Sequence, residues 1–397
     1  PSDIHFWECV KRQYERTHEA NLSGKPIVLS GMFVPSEIYH AMDIPCLFAE
    51  YNSSMMAGRG NYFQYMDIAE GHGISNEICS PHRVAIGLAK SKMLPRPSFI
   101  VSTATTCDQT LKLYEVLADH YQVPSYLIDS AYGSQGHFLD YMRDEMKGLI
   151  AFLEEQTGRK LDYDRLKEVL RLSRQAYDYW EKLAELKKAV PCPIGSKDSM
   201  KDWGVIMNGA GTPEGVRYFE ARYREIKERV DQGIGAGPEE KHRVAWLYAL
   251  PLFDLGIVKW MQDEHGAVVV FDTFGMVSYD ITLDPEDPIG FLAQKASKMA
   301  FIKLGWSPNE VSKSATEMAK LCVEYQTDCA IVLANWSCRQ YCGTIKLLKD
   351  AVAEEAGIPF LILDGDLLDS RVVSSAQMKQ KISDFINTME AQPAKVG

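Results

Sequence analysis

The sequence predicts an α/β chain of two doubly wound parallel sheets with a largely helical insertion, and three observations carry that expectation. The first is an internal repeat: IVSTATTCDQTLKLYEVLADHYQVPSYLID (Ile100 to Asp129) is echoed by IVLANWSCRQYCGTIKLLKDAVAEEAGIPFLILD (Ile331 to Asp364). In each copy an Ile-Val pair opens an apolar run and a cysteine, Cys107 or Cys338, follows seven residues after the Ile. An amphipathic stretch then leads to Val-Pro or Ile-Pro and a second apolar run ending in Asp. The second copy is four residues longer between its cysteine and its proline. The second observation is the alternation itself, since short unbroken apolar runs, polar turns and helical periodicity together mark βαβ units buried on both faces. The third is size. With 397 residues, two sheets can each have a core. The arrangement expected is Rossmann-like or flavodoxin-like, with ligands collecting at the carboxyl ends of the strands, where both cysteines fall.

Taken in order, residues 1–24 read as a helix with Phe6, Trp7, Val10 and Tyr14 at helical spacing. A first α/β domain follows over 25–136, with strands at 27–30, 45–49, 98–102 and 125–128. A helical segment is expected over 137–238: between 137 and 190 the pattern turns long, charged and 3.6-periodic, broken at Thr157-Gly158 and again over Pro191 to Gly195. Thr212-Pro213 is an N-cap followed by a first-turn proline, so a helix begins there and runs to about Val230. After GIGAGP (Gly233 to Pro238) a second α/β domain over 239–397 has strands at 243–249, 267–272, 330–334 and 359–363. A last helix spans Ser375 to Met389.

Composition excludes several classes. A net charge of −11 lacks the concentrated Lys/Arg surface that nucleic acid requires, although Lys90, Lys92 and Arg96 could meet a small phosphorylated ligand. No apolar run approaches the roughly 18 residues of a membrane span, and the polar N-terminus is not a secretory signal. The expectation is a soluble, cytoplasmic protein. Nine cysteines, an odd number scattered through the chain, do not form a disulfide framework and read as buried thiols or metal ligands.

Three of them stand out. Cys79 precedes the helix opened by Ser80-Pro81, while Cys107 and Cys338 each lie between a strand end and a helix start, so a helix N-terminus should favour a thiolate at all three. Three such thiolates suit one cubane iron-sulfur cluster with an open fourth iron. Cys9 and Cys322 lie in helical patterns, Cys46 and Cys329 at strand starts and Cys192 in a loop, as small buried residues do. Cys342, one turn after Cys338, is read as a helix residue facing the sheet, with a fourth ligand as the alternative. Cys79 and His82 have C-x-x-H spacing, but no second close pair completes a structural zinc site, and His82 is read as a helix-face histidine near the centre. NGAGTPEG (Asn208 to Gly215) follows no strand and is a loop and cap. Neither a Walker motif nor a G-x-S-x-G elbow occurs. Ser30 and Glu50 end the first two strands and should line the rim that carries Cys107, Glu50 as a general base if partly desolvated, with a solvated loop carboxylate as the alternative. Ser36 and Glu37 are expected to serve a helix start.

GMFVPSEIYHAMDIP (Gly31 to Pro45), EICSPHRVAIG around Cys79, TTCDQTLKLYEVL around Cys107, and ANWSCRQYC with AGIPFLILDGDLLDSRV resemble the cluster-bearing components of 2-hydroxyacyl-CoA dehydratases and their relatives the benzoyl-CoA reductases. Trp336 stands where those proteins often carry arginine. The resemblance implies a [4Fe-4S] cluster on Cys79, Cys107 and Cys338, a homologous second subunit in a heterodimer, and an acyl-CoA substrate. It also implies a separate ATP-hydrolysing iron-sulfur activator that supplies one energetic electron, forming a ketyl radical that expels the 2-hydroxyl. Double-cubane relatives carry further cysteines, and AWLYALPLFDLG (Ala245 to Gly256) has none. A benzoyl-CoA-type reductase and an electron-relay subunit are the alternatives.

Overall fold

The computed structural model describes residues 1–58, 60, 62–105, 107–130, 137–277, 281–299 and 308–391, the last range with side chains from 313 onward. Two four-stranded, all-parallel sheets organise the chain. The first contains β1 (Val28–Ser30), β2 (Cys46–Phe48), β3 (Phe99–Thr103) and β4 (Ser125–Ile128) in the order β2-β1-β3-β4. The second contains β5 (His242–Leu247), β6 (Ala267–Asp272), β7 (Cys329–Asn335) and β8 (Phe360–Gly365) in the matching order β6-β5-β7-β8. Each strand lies within two residues of its expected bounds, because unbroken apolar runs such as AVVVFD are buried at every position. β3 and β7 are the equivalent inner strands, so the cysteines that follow them occupy equivalent places on the two sheets.

The helices are α1 (Ser2–Ser23), α2 (Glu37–Ala41), α3 (Ala49–Ala57), α4 (Phe63–Gly71), α5 (Ser80–Lys90), α6 (Asp108–Tyr121), α7 (Phe138–Thr157) and α8 (Tyr163–Leu186). They continue with α9 (Ser199–Asn208), α10 (Pro213–Asp231), α11 (Gly256–His265), α12 (Pro288–Lys298), α13 (Pro308–Glu324), α14 (Arg339–Cys342), α15 (Ile345–Glu355) and α16 (Ser375–Ala391). The charged stretch between the sheets is helical, as expected: α7 stops at Gly158 in the left-handed conformation, and Thr212 caps α10 by accepting from Gly215 N at 3.1 Å. NGAGTPEG is the loop and cap between α9 and α10. Among the described residues, no helix is long and apolar enough to cross a membrane.

Three expectations need correction. In α1 only Phe6 and Val10 of the predicted stripe are buried; Trp7 is 54% and Tyr14 39% exposed, because the helix packs on a narrow seam against α10. Glu50 does not end a strand but lies in the first turn of α3, since β2 stops at Phe48. Glu37 stands in the first turn of α2 but does more than serve a helix start: it is fully buried, paired with the ammonium of Lys295 and accepting from Ser173 Oγ at 2.6 Å. Ser36, at the N-cap position of α2, makes no side-chain capping bond. Periodicity could not reveal a partner 258 residues away.

The two sheets meet through the segment after β8. Tyr62 Oη donates to Leu368 O at 2.6 Å, and buried Arg83 reaches Asp369 Oδ2 at 3.1 Å while holding Glu70 at 2.6 Å. That junction depends on α4 and α5 lying in contact. Gly87 provides the approach, since a Cβ there would stand 1.9 Å from the Tyr65 carbonyl oxygen.

Candidate active site

Cys79, Cys107 and Cys338 line one cavity between the two sheets. Each is the N-cap residue of its helix, α5, α6 and α14 respectively. The N–H three residues on, from His82, Thr110 and Tyr341, favours the charged sulfur without closing a regular capping bond. Thr110 Oγ1 also lies 3.0 Å from Cys107 Sγ. The expected lowering of the thiol pKa is nevertheless overturned. Burial pushes all three up, Cys107 to about 12, and mutual repulsion among the sulfurs raises Cys79 further. Desolvation of three neighbouring thiolates outweighs the helix termini, and α14 is a single turn with little dipole to offer. As thiolates the three would need positive charge close by to offset this burial.

Among the described residues, no group of three or more His, Cys, Asp or Glu side chains could hold a single metal ion. Thiolates on one tetrahedral ion, at metal–sulfur bonds of about 2.3 Å, stand under about 4 Å apart. Thiolates that each bind a separate metal atom of a cluster are under no such limit. Cys342 does not line the cavity. Its Sγ donates to the Asn335 carbonyl at 3.1 Å, facing the end of β7 as the sequence suggested.

A buried carboxylate faces the sulfurs. Glu50 lines the same cavity, and burial lifts its pKa to about 7 despite the hydrogen bond from Tyr114. Tyr114 Oη lies 2.6 Å from both Glu50 Oε2 and the Ser30 carbonyl oxygen. The one phenolic proton serves the carboxylate when Glu50 is ionised; when Glu50 is protonated it donates to the tyrosine, which turns its own proton to Ser30 O. The pair can thus gain and lose a proton without leaving a group unpaired. His82 Nε2 stands 3.9 Å from Glu50 Oε1, and burial lowers the ring's pKa to about 4, so it is neutral. Ser30, expected on the rim with its side chain, is placed differently. Its Oγ is buried against Tyr39 Oη at 2.9 Å and does not line the cavity, so only its carbonyl reaches the site, through Tyr114.

One amide joins the three cysteine segments. Gln109, two residues after Cys107, accepts from Cys79 N at 2.8 Å through Oε1 and donates from Nε2 to the Ser337 carbonyl at 3.1 Å, next to Cys338. Asp366 completes the brace, accepting from Ser80 Oγ through Oδ1 and from Ser337 Oγ at 2.6 Å through Oδ2.

Residues 31–389 match the family described as "2-hydroxyglutaryl-CoA dehydratase, D-component". The chain belongs to this family. Its similarity to proteins of known activity runs nearly end to end. It is 28% identical to the (R)-phenyllactyl-CoA dehydratase alpha subunit of Clostridium sporogenes, over 94% of this chain and 92% of that one. It is 22% identical to the (R)-2-hydroxyisocaproyl-CoA dehydratase alpha subunit of Clostridioides difficile, over 96% and 95% respectively. It is 25% identical to a benzoyl-CoA reductase subunit of Thauera aromatica, over 96% and 93%.

In this D-component chain, sequence reasoning found the sulfurs and Glu50 but missed Gln109, Tyr114, Asp366 and Tyr248. Gln109 and Asp366 had only a proximity signal: one follows Cys107 by two residues and the other sits just beyond the β8 strand. Tyr248 lines the cavity with φ 98°, a backbone conformation unusual for a bulky residue, and its ring lies tilted by 36° against that of Tyr341, centroids 4.0 Å apart. No periodicity announces such a residue. Replacing Gln109 by leucine should strand the Cys79 N–H and the Ser337 carbonyl in a dry site, a loss of about 2–4 kcal/mol. Thermal unfolding of the variant would register this, together with faster iron loss to a chelator than in the unaltered protein. Unchanged chelation kinetics would show that the brace does not hold the ligands.

Proposed function

We propose that this chain is the [4Fe-4S]-bearing subunit of an (R)-2-hydroxyacyl-CoA dehydratase, working with a homologous second subunit and a separate ATP-hydrolysing activator. The observation that carries the reading is the convergence of Cys79, Cys107 and Cys338 with buried Glu50 on one apolar cavity. Relatives named as dehydratase alpha subunits, matched over nearly their whole length, support it. The strand order also supports doubly wound sheets: from the central β1 or β5 the chain first adds a strand on one side and then crosses to the other.

When bound, the cluster would supply one-electron chemistry and an open iron acting as a Lewis acid on a substrate oxygen. An electron added to the thioester gives a ketyl radical, which expels the 2-hydroxyl as hydroxide. The remaining radical acidifies C3–H, so that a carboxylate of ordinary strength suffices as base. Glu50 takes that proton, with Tyr114 following the change in charge, and passes it to the departing hydroxide as water. The electron is then recovered, leaving the 2-enoyl-CoA with no net oxidation or reduction. Apolar walls keep solvent from quenching the radical.

Anaerobic co-purification with the partner, followed by assay with activator, ATP and reductant, tests this. Dehydration should need ATP only to start, far below one per turnover. The similarity to a benzoyl-CoA reductase subunit makes that activity the second reading. Stoichiometric ATP use with two-electron reduction of an aromatic acyl-CoA would identify it, and turnover without an activator would refute both. An open iron whose spectrum does not change with acyl-CoA would indicate an electron-relay subunit.

A further inference from the structure

We infer that the acyl pocket takes an uncharged, apolar side chain of aryl or branched-alkyl size and rejects a dicarboxylic acyl group. This rests on the dehydratase reading and adds the substrate class. The cavity is walled in part by Phe33, Trp203, Phe274, Met200 and Leu252. Trp203 meets Phe33 at 6.1 Å and Phe274 at 4.9 Å between ring centroids, both edge to face, so the rings form a rigid corner rather than loose side chains. Such a corner offers ring faces and edges to a flat or branched apolar group.

The charges point the same way. Among the described residues, no lysine or arginine lines the cavity, and the ionisable groups that do are Glu50, His82, two tyrosines and the three cysteines. A distal carboxylate entering this corner would lose its water, find no lysine or arginine among the described lining residues, and face Glu50 and the sulfurs. Burial of an unpaired charge is among the most unfavourable events in binding. The membership of a family described by a glutaryl substrate therefore does not extend to the substrate of this chain.

The test is binding and turnover on matched acyl-CoAs. Titration of the purified protein with cinnamoyl-CoA, 4-methylpent-2-enoyl-CoA and glutaconyl-CoA should give a Kd for the first two at least about 100-fold below that of the third. The first two should quench Trp203 emission, and Trp203→Phe should lose that quenching while still binding. With partner and activator, (R)-phenyllactyl-CoA and (R)-2-hydroxyisocaproyl-CoA should show kcat/KM at least about 100-fold above (R)-2-hydroxyglutaryl-CoA. Met200→Arg, which places a cation in the corner, should narrow that ratio at least about tenfold. Equal affinity or turnover for the dicarboxylic compound, or no effect of Met200→Arg on its binding, would overturn the inference and leave the dehydratase reading intact. Failure to dehydrate any of the three would overturn both.

Discussion

Alanine at Cys79, Cys107 or Cys338 should each strip the protein of most of its iron and sulfide after anaerobic purification. Each should also lower dehydration by at least about 10³-fold, because losing an obligate cofactor removes its entire share of the barrier lowering. The three sulfurs share one apolar cavity, and burial disfavours each as a thiolate there. On the proposed reading the three would bind a cluster cooperatively, and two remaining thiolates would hold one that water and chelators reach easily. Cys342→Ala is the internal contrast. It removes a sulfhydryl donor from the Asn335 carbonyl, costing on the order of 1 kcal/mol, and should leave iron, sulfide and the reduced-state electron paramagnetic resonance signal in place. Iron lost from the Cys342 variant would require a closed, four-cysteine site, and full iron in any of the other three would remove that residue from the ligand set.

What was legible in the sequence is what local physics writes locally. Most of the strands are unbroken apolar runs buried at nearly every position, while β4 and β8, partly exposed, each follow a Val-Pro or Ile-Pro pair, so all eight were found within two residues. The N-cap places of Cys79 and Cys107 followed from Ser80-Pro81 and from the strand-to-helix turn after β3. Residues whose roles depend on contacts across the chain were not legible. Glu37 was read from its own turn of helix, but its environment is made by Lys295 and Ser173, on α12 and α8. Ser30 was placed by its position at a strand end. Which way its hydroxyl turns was decided by Tyr39, nine residues on, in a helix whose packing no periodicity describes. The thiol pKa values failed for the same reason: a helix terminus is visible in sequence, whereas the desolvation that defeats it is a property of the closed cavity.

Glu50→Gln should make the protein more stable at pH 8 and nearly inactive, and the two effects have one cause. A carboxyl with an ordinary pKa of 4.5 when unfolded and about 7 when folded binds its proton more tightly in the native state. Below pH 4.5 both states are protonated and the stabilising contribution of the neutral form is complete. Between 4.5 and about 7 the unfolded chain ionises while the folded one does not, so stability falls as pH rises, and it levels off above about 7. The whole gap corresponds to about 3 kcal/mol. Glutamine keeps the shape and still accepts from Tyr114, but carries no charge to desolvate, so its advantage should be absent near pH 4 and full at pH 8. Paired thermal unfolding curves under anaerobic conditions would show it, and parallel pH dependence of the two proteins would mean that Glu50 is not held above its ordinary range. The group that burdens the fold above neutrality is also the one that can take a proton there. Loss of the base should lower kcat by about 10²- to 10⁴-fold, and the unaltered enzyme should gain activity as pH rises through about 7. A variant stabilised at pH 8 but fully active would separate the two roles, leaving Glu50 a buried burden and moving the C3 proton to another acceptor, such as an oxygen of the substrate itself.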